Sequence, residues 1–423
     1  MVVASVFLAQ AITYGVYYSF SVFFVAMVEE FGWGRAATAG VFSLLVLVIG
    51  FTGVVVGALI DRLGPSRVVP SGAILLTLGL LATSQLSELW QFYLFFGVVA
   101  GLGISTSGWV PCVTVVSRWF SNQRGLAIGI ASAGIGLGIV AMVPISQYLI
   151  SSFGWRSAYL ILAGVALVGI VPHAALLQLG GPEQLGLKPD GRAADVPTAR
   201  PAKAARKRGL VVVDRKWASY PWTISSALRT ARFWLLLANL LLSVLTNQML
   251  WVHQVAYLVD TGYDKMLAAS VAGFAGLVSM PGKIFWGAVA DRLGRELTFT
   301  LGIATMLLAI GLLVLTGSVQ AVWLVLVFAV TFALGYAINA PLTPSAAADI
   351  FAGRRFGSIY GLLNVGMGLG GAFGAWLAGY VFDVTGSYVV AFALAAVGST
   401  ASVVCMWLAA PRKVRRVVWT SPS

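Results

Sequence analysis

The chain has 423 residues, of which 59% are hydrophobic and 10% charged, with a formal net charge of +13 and a mean hydropathy of +0.91. Soluble domains carry about 25% charged residues, so this composition excludes an ordinary soluble fold and favours a lipid bilayer as the solvent. The cations lie in short patches between apolar spans, which argues against nucleic-acid binding and is typical of loops on the cytoplasmic side of a membrane.

Twelve apolar spans are predicted to be transmembrane helices, because lipid offers no partners for unpaired backbone groups. The spans are 2–28, 37–60, 68–87, 91–117, 125–150, 157–178, 232–259, 266–289, 297–317, 321–343, 356–381 and 387–410. The predicted fold is an all-α membrane protein with two pseudo-symmetric six-helix bundles. The predicted domains are an N-terminal bundle (1–178), a cytoplasmic linker (179–231), a C-terminal bundle (232–411) and a cytoplasmic tail (412–423).

The orientation is predicted from lysine and arginine. One set of loops carries 23 of the 27 cations, whereas the alternate set carries only Arg35, Arg156 and Lys265. Cation-rich loops face the cytoplasm, so both termini and the linker are predicted to be cytoplasmic. The expected location is a bacterial-type inner (plasma) membrane, crossed many times.

The sequence repeats itself at a fixed distance. The segment from Gly57 to Gly64 (GALIDRLG) returns in the second half of the chain, from Gly287 to Gly294 (GAVADRLG). Phe120 with Arg124 returns as Phe351 with Arg355, at almost the same separation along the chain. These matches predict duplicated halves, related by an axis along the membrane normal.

The repeated loop Gly57-x3-Asp61-Arg62-x-Gly64-x2-Arg67 resembles the signature loop of the major facilitator superfamily. The resemblance implies a twelve-helix carrier and a conformational latch in which Asp61 holds the two halves together. A simple tight turn is the alternative for this loop. The implied latch residues are Gly57, Asp61, Arg62, Gly64, Arg67, Gly287, Asp291, Arg292, Gly294 and Arg295.

A narrower resemblance lies in spans one, four and five. The segments 14–24 (YGVYYSFSVFF), 30–35 (EFGWGR) and 117–129 (SRWFSNQRGLAIG) are similar to monocarboxylate transporters and oxalate–formate antiporters. This resemblance implies a small organic anion as the substrate, most simply a monocarboxylate such as lactate or pyruvate.

Apart from Arg232 at the first position of the seventh span, which is counted with the loop cations, Lys283 is the only cation in a predicted span, and an ionisable residue at membrane depth indicates function. At about 100° per residue it shares a helix face with Gly276, Ser279 and Gly287, which predicts a side chain facing protein instead of lipid. Snorkelling to the headgroups is the alternative. The resemblance places an arginine here, so lysine is a departure that offers a point charge. No second cation lies in 356–381, which favours one carboxylate over two and disfavours oxalate.

Polar and aromatic side chains in other spans are further candidates for binding the substrate, with helix packing as the alternative for each. They are Tyr14 and Tyr18 in span one, Trp109 in span four, Asn247, Trp251 and Gln254 in span seven, Asn339 in span ten and Asn364 in span eleven. His253 is a candidate for proton coupling together with Lys283. Its position off the face of Asn247, Trp251 and Gln254 favours a structural role.

The sequence contains no Walker motif, metal-ligand cluster or catalytic triad, so secondary transport is predicted, with no enzymatic activity, cofactor or metal. The expected partners are a small organic anion, the lipid bilayer and, if transport is proton symport, protons. The chain is expected to be a monomer. Two alternatives stay open: an exporter of a neutral or hydrophobic small molecule, and a non-transporting membrane sensor with the linker as its output.

Overall fold

The computed structural model describes residues 1–120, 124–178, 181, 187–188, 192–193, 210–351 and 356–417. Side chains at 54, 61, 117–118, 124–126, 187–188, 192–193, 210–211, 357–358 and 416–417 are outside this description. The helices are α1 (Val2–Phe31), α2 (Arg35–Leu63), α3 (Pro65–Thr83), α4 (Leu89–Phe92), α5 (Gly101–Ser107), α6 (Trp109–Trp119), α7 (Arg124–Leu177), α8 (Arg215–Ser219), α9 (Ile224–Leu228), α10 (Ala231–Asp260), α11 (Lys265–Leu293), α12 (Arg295–Thr316), α13 (Val322–Ala337), α14 (Asn339–Ile350), α15 (Phe356–Thr385) and α16 (Tyr388–Ala409). A π-helical segment, Tyr93–Ala100, connects α4 to α5.

Within the described ranges, eleven helical segments are long and apolar enough to cross a membrane. One of them lies in α7, which has 54 residues and a break at Gly154 (φ 78°, ψ 158°). At about 1.5 Å per residue this helix is more than twice as long as a bilayer core is thick, so it holds two passes. The prediction of an all-α membrane protein with twelve spans is therefore confirmed.

Two compact units make up the fold. The first contains Met1–Thr198 and Trp251–Leu277, and the second contains Ala199–Leu250 and Val278–Ser423. The predicted six-helix bundles, 1–178 and 232–411, stay a prediction.

Glycines spaced four residues apart bring helix backbones together in each unit. In the first unit, a Cβ at Gly134 or Gly138 of α7 would collide with the backbone of α1 at Phe7 or Ala11. In the second unit, a Cβ at Gly370 of α15 would collide with Leu241 of α10 in the same way. Small residues at membrane helix contacts allow this close approach.

One predicted span is broken where the sequence predicts a continuous helix. The span 91–117 breaks at Gly108 (φ −93°, ψ −130°) between α5 and α6, three residues before Pro111. Proline has no N–H for the carbonyl four residues earlier, so the helix loses a bond at this point. Pro341 corresponds to Pro111 in the repeat, but the backbone at Ile338, between α13 and α14, stays right-handed helical (φ −61°, ψ −34°).

The end of the predicted linker packs within the second unit. Strand β1 (Leu187–Lys188) pairs with β2 (Arg192–Ala193), and β3 (Leu210–Val212) pairs antiparallel with β4 (Arg415–Val417). Trp217 donates its indole N–H to the Ile350 carbonyl at 2.9 Å. Trp222 packs edge-on against Phe351, with ring centroids 5.1 Å apart. Burial of these two indole rings explains why the end of the linker has an ordered structure. The rest of the linker lies outside the described residues.

Gly64 and Gly294 hold the same backbone conformation at the two signature loops, with φ of 80° and 86° and ψ of 153° and 170°. This region is essentially restricted to glycine and costs other residues about 1–3 kcal/mol. We therefore expect Gly294→Ala to lower the thermal unfolding temperature of the purified protein. Gly287→Ala is the matched control, because the nearest atom to its added Cβ is 3.8 Å away. Equal losses in both variants would contradict the backbone argument.

Candidate functional site

Lys283 lies on α11 in the second unit, and neighbouring contacts set its orientation. Trp286 donates its indole N–H to the Leu334 carbonyl of α13 at 2.9 Å, and Gly282 lies against Ala337. These contacts hold one side of α11 on α13, while Ile284 and Phe285 are exposed. The half-buried Lys283 places Nζ 5.8 Å from the ring centroid of Tyr336, within reach of a cation–π interaction.

None of the ion pairs among the described residues includes Lys283. A cation held at membrane depth without a carboxylate partner is costly unless something else neutralises it. An anionic ligand would do so. A role of Lys283 in binding stays a prediction.

Three predicted asparagines also lie in the second unit. Asn247 is buried on α10. The Asn364 amide donates to the Tyr360 carbonyl one turn earlier at 2.9 Å, so this donor bonds to its own helix. Asn339 opens α14, and its Oδ1 is buried with no hydrogen-bond partner among the described residues. Of the three asparagines, Asn339 is therefore the one whose side-chain oxygen is shown to be available to accept a hydrogen bond from a ligand.

An aromatic cluster in the first unit contains Tyr14, Tyr17, Tyr18 and Trp251. Tyr17 meets Tyr18 edge-on at 4.7 Å, and Tyr18 meets Trp251 edge-on at 4.9 Å between ring centroids. Tyr14 lies 6.4 Å from Tyr18. The structure therefore brings three predicted residues, Tyr14, Tyr18 and Trp251, into one cluster.

His253 is fully buried and meets Phe24 edge-on, with ring centroids 5.1 Å apart. This packing is the environment of a structural histidine. A role in proton coupling stays a prediction.

Gln254 is 1% exposed, and neither amide atom has a hydrogen-bond partner among the described residues. A buried amide without partners is destabilising by about 1–3 kcal/mol, so its presence indicates a ligand or water contact.

Trp109 differs from Gln254, because it is 43% exposed beside the helix break at Gly108. It is therefore not a core residue of the first unit.

We expect Gln254→Leu to raise the thermal unfolding temperature and to lower the rate of substrate transport, because it removes an unpaired amide that would contact the ligand. The measurement is unfolding of the purified variant together with transport in liposomes. The matched control is Gln147→Leu, where the amide already donates to Ser151 at 2.9 Å. A stabilised variant with unchanged transport would remove Gln254 from the binding site.

Each of the three cations on the cation-poor side pairs with a carboxylate in the first unit. Arg35 binds Asp260 through two bonds of 2.6 and 2.8 Å. Lys265 lies 2.6 Å from Glu29, and Arg156 lies 2.6 Å from Glu30. The sequence identified the cations but not these partners. Two of the pairs tie the ends of α1 and α2 to the Trp251–Leu277 segment.

Comparison with known proteins gives the family. The model of the Major Facilitator Superfamily matches residues 6–338 and 281–423. The chain belongs to this superfamily. Curated relatives of this superfamily member include monocarboxylate transporter 13 of Bos taurus, 32% identical over 398 residues, and that of Rattus norvegicus, 30% identical over 396. Each match covers 93% of this chain and 85% of the relative.

Solved structures show the same superfamily fold. Two inward-facing structures of a bacterial homologue of the human lysosomal transporter Spinster, one unoccupied and one occupied, match with TM-scores of 0.63 and 0.64. They are 15% identical, and the matches cover 97% and 96% of this chain and 95% and 94% of theirs. The family match and the curated relatives show that the protein is a multi-pass membrane transporter and not an enzyme.

The second superfamily signature loop forms an ion-pair network in the second unit. Arg295 donates from Nε to Asp349 at 3.0 Å and from Nη1 to Asp291 at 3.2 Å. The buried Asp349 belongs to α14, so this network joins α11, α12 and α14. Arg292 is exposed. A latch role for these residues stays a prediction.

The first superfamily signature loop is more open. Arg62 and Arg67 are exposed, and the side chain of Asp61 lies outside the described residues. At Gly57 the nearest atom to an added Cβ is 4.0 Å away. Gly57 and Gly287 therefore both leave room for a methyl group.

Proposed function

We propose that this protein is a secondary active transporter of a small organic anion, most simply a monocarboxylate such as lactate or pyruvate. The observation that carries the proposal is Lys283, a cation on a helix face turned from the exposed side chains of α11 and without an ion-pair partner among the described residues. A single ammonium group matches a single carboxylate in charge. The names of the curated relatives point to the same class of substrate.

Transport by alternating access would be driven by proton symport or by exchange of one anion for another. We propose a bacterial-type inner membrane, with both termini in the cytoplasm, because the loops that alternate with Arg35, Arg156 and Lys265 hold nearly all other cations. Six-helix halves, at 1–178 and 232–411, would be the moving bodies.

The test is uptake of radiolabelled lactate and pyruvate into proteoliposomes, with oxalate as the dicarboxylate comparison. We expect uptake of the monocarboxylates to exceed uptake of oxalate. Stimulation by an inward proton gradient would indicate symport, whereas stimulation only by internal anion would indicate exchange. Uptake of none of the acids, together with efflux of neutral compounds, would contradict the proposal and support an exporter.

A further inference from the structure

An apolar groove lies between α11 and α12 in the second unit, and both helices are long and apolar enough to cross the membrane. The groove has a volume of about 540 Å³, within the range of sites that bind small molecules. Four of the side chains that line it, Phe285, Leu293, Leu301 and Leu308, are between 41% and 54% exposed. The groove is therefore open on the side where these two helices face lipid.

Two polar side chains line the groove, and both already have hydrogen-bond partners. Trp286, which is 5% exposed, donates its indole N–H to the Leu334 carbonyl at 2.9 Å. Thr305 donates its hydroxyl to the Gly302 carbonyl at 2.7 Å. Since neither donor is free, the groove offers apolar surface, and an apolar chain fits it better than a polar solute.

The groove is long and narrow. From Phe285 to Leu293, α11 rises about 12 Å, so the mean cross-section of the groove is about 45 Å². An α-helix with its side chains has a diameter of about 10–12 Å, which gives a cross-section roughly twice as large. A helix from a second copy of this chain would therefore not enter the groove, whereas a single hydrocarbon chain would.

Arg292 supplies a positive charge where the groove ends. It directly precedes Leu293 and follows Phe285 by two helical turns, so it lies on the same side of α11 as Phe285. Its side chain is exposed, and none of the ion pairs among the described residues includes it. An arginine at the end of a membrane helix reaches the headgroups, where its guanidinium binds phosphate through two parallel hydrogen bonds.

The carboxylates closest to Arg292 in the sequence bind other groups. Asp291 lies 3.2 Å from Arg295, and Glu296 accepts the backbone N–H of Arg412 at 2.9 Å. Neither acid pairs with Arg292. The charge of Arg292 is therefore available to an anion that arrives from the membrane.

We propose that this groove binds one acyl chain of an anionic phospholipid and that Arg292 binds the phosphate of the same lipid. The apolar lining, the width of the groove and the position of the cation each match one part of that molecule. An anionic headgroup is favoured over a zwitterionic one, because it carries no cation that competes with Arg292 for the phosphate. The site is separate from the proposed function, since it requires no transported substrate.

The first test compares two lipids with identical acyl chains, phosphatidylglycerol and phosphatidylcholine. Each is titrated into the purified, delipidated protein in detergent, and native mass spectrometry gives the Kd of the first bound lipid. Phosphatidylglycerol should bind about five times more tightly. Arg292→Gln should remove this preference and leave the Kd for phosphatidylcholine within about twofold. Lys413→Gln, which changes an exposed lysine that does not line the groove, is the matched control and should keep the preference.

The second test fills the groove and leaves Arg292 in place. Ala304 is exposed in the groove, so Ala304→Phe should raise the Kd of both lipids at least about fivefold. Ala393→Phe is the matched control, because Ala393 is exposed on α16 and does not line the groove. It should leave both Kd values at the native level. An excess of glycerol phosphate, which has the headgroup chemistry without the chains, should not displace the bound lipid.

The contrary outcomes are equally definite. Equal Kd values for the two lipids in the native protein would mean that the groove holds only ordinary boundary lipid, and would overturn the proposal. A preference that persists in Arg292→Gln would also overturn it. Unchanged Kd values in Ala304→Phe, or displacement of the lipid by glycerol phosphate, would show that the groove takes no part in binding.

Discussion

Lys283→Ala is expected to lower monocarboxylate uptake roughly 10- to 100-fold at subsaturating substrate. A hydrogen bond to a charged group contributes about 1.5–3 kcal/mol, and the variant removes both the charge and the donors. Lys283→Arg should retain part of the uptake, since it keeps the charge but changes the geometry. Initial rates in proteoliposomes measure both.

The control for Lys283 is Lys413→Met, which removes an exposed lysine near the end of the chain. It should transport at the native rate. Lys283→Ala with native uptake would show that the ammonium group snorkels to the headgroups and has no part in binding. Equal loss in both variants would indicate a general effect of charge instead of a specific site.

Reversing one charge of the Arg35–Asp260 pair is expected to reduce transport about five- to tenfold. The pair is bidentate, and the Arg35 side chain is only 15% exposed, so it is stronger than an ordinary surface pair. Arg35→Asp places two carboxylates together and should detach the end of α2 from the Trp251–Leu277 segment. The double variant Arg35→Asp with Asp260→Arg should recover most of the lost rate.

Labelling of a cysteine introduced at Thr261 gives a second measurement of the same contact. A thiol-reactive reagent should label this cysteine faster in Arg35→Asp and at the native rate in the charge-swapped variant. Arg156→Ala is the matched control, because its pair with Glu30 joins α7 to α1 within one sequence half. Unchanged labelling and transport in Arg35→Asp would show that the pair has no role in the transport cycle.

The fold was largely predictable because membrane spans are determined by local composition. Hydropathy alone located the twelve passes, and the constant offset of the repeat predicted the equivalent turns at Gly64 and Gly294. The break at Gly108 was missed because hydropathy does not register hydrogen bonding. Pro111 was the available signal, since a proline inside a span removes a backbone donor.

The candidate site was only partly predictable. Lys283 was identified because a charge in lipid is rare, and the helix period gave its face. The carboxylate partners of Arg35 and Lys265 lie in the opposite half of the sequence, so no local pattern could predict them.

The three ion pairs at the ends of α1, α2 and α11 have an electrostatic consequence for an arriving substrate. Around them the first unit has five acidic residues, Glu29, Glu30, Glu88, Asp260 and Asp264, against three cations. The surface formed by these eight charged residues therefore bears a negative potential, which repels carboxylates at long range. Entry from this side should become faster as ionic strength rises, because salt shortens the reach of the repulsion to about 10 Å at 0.1 M.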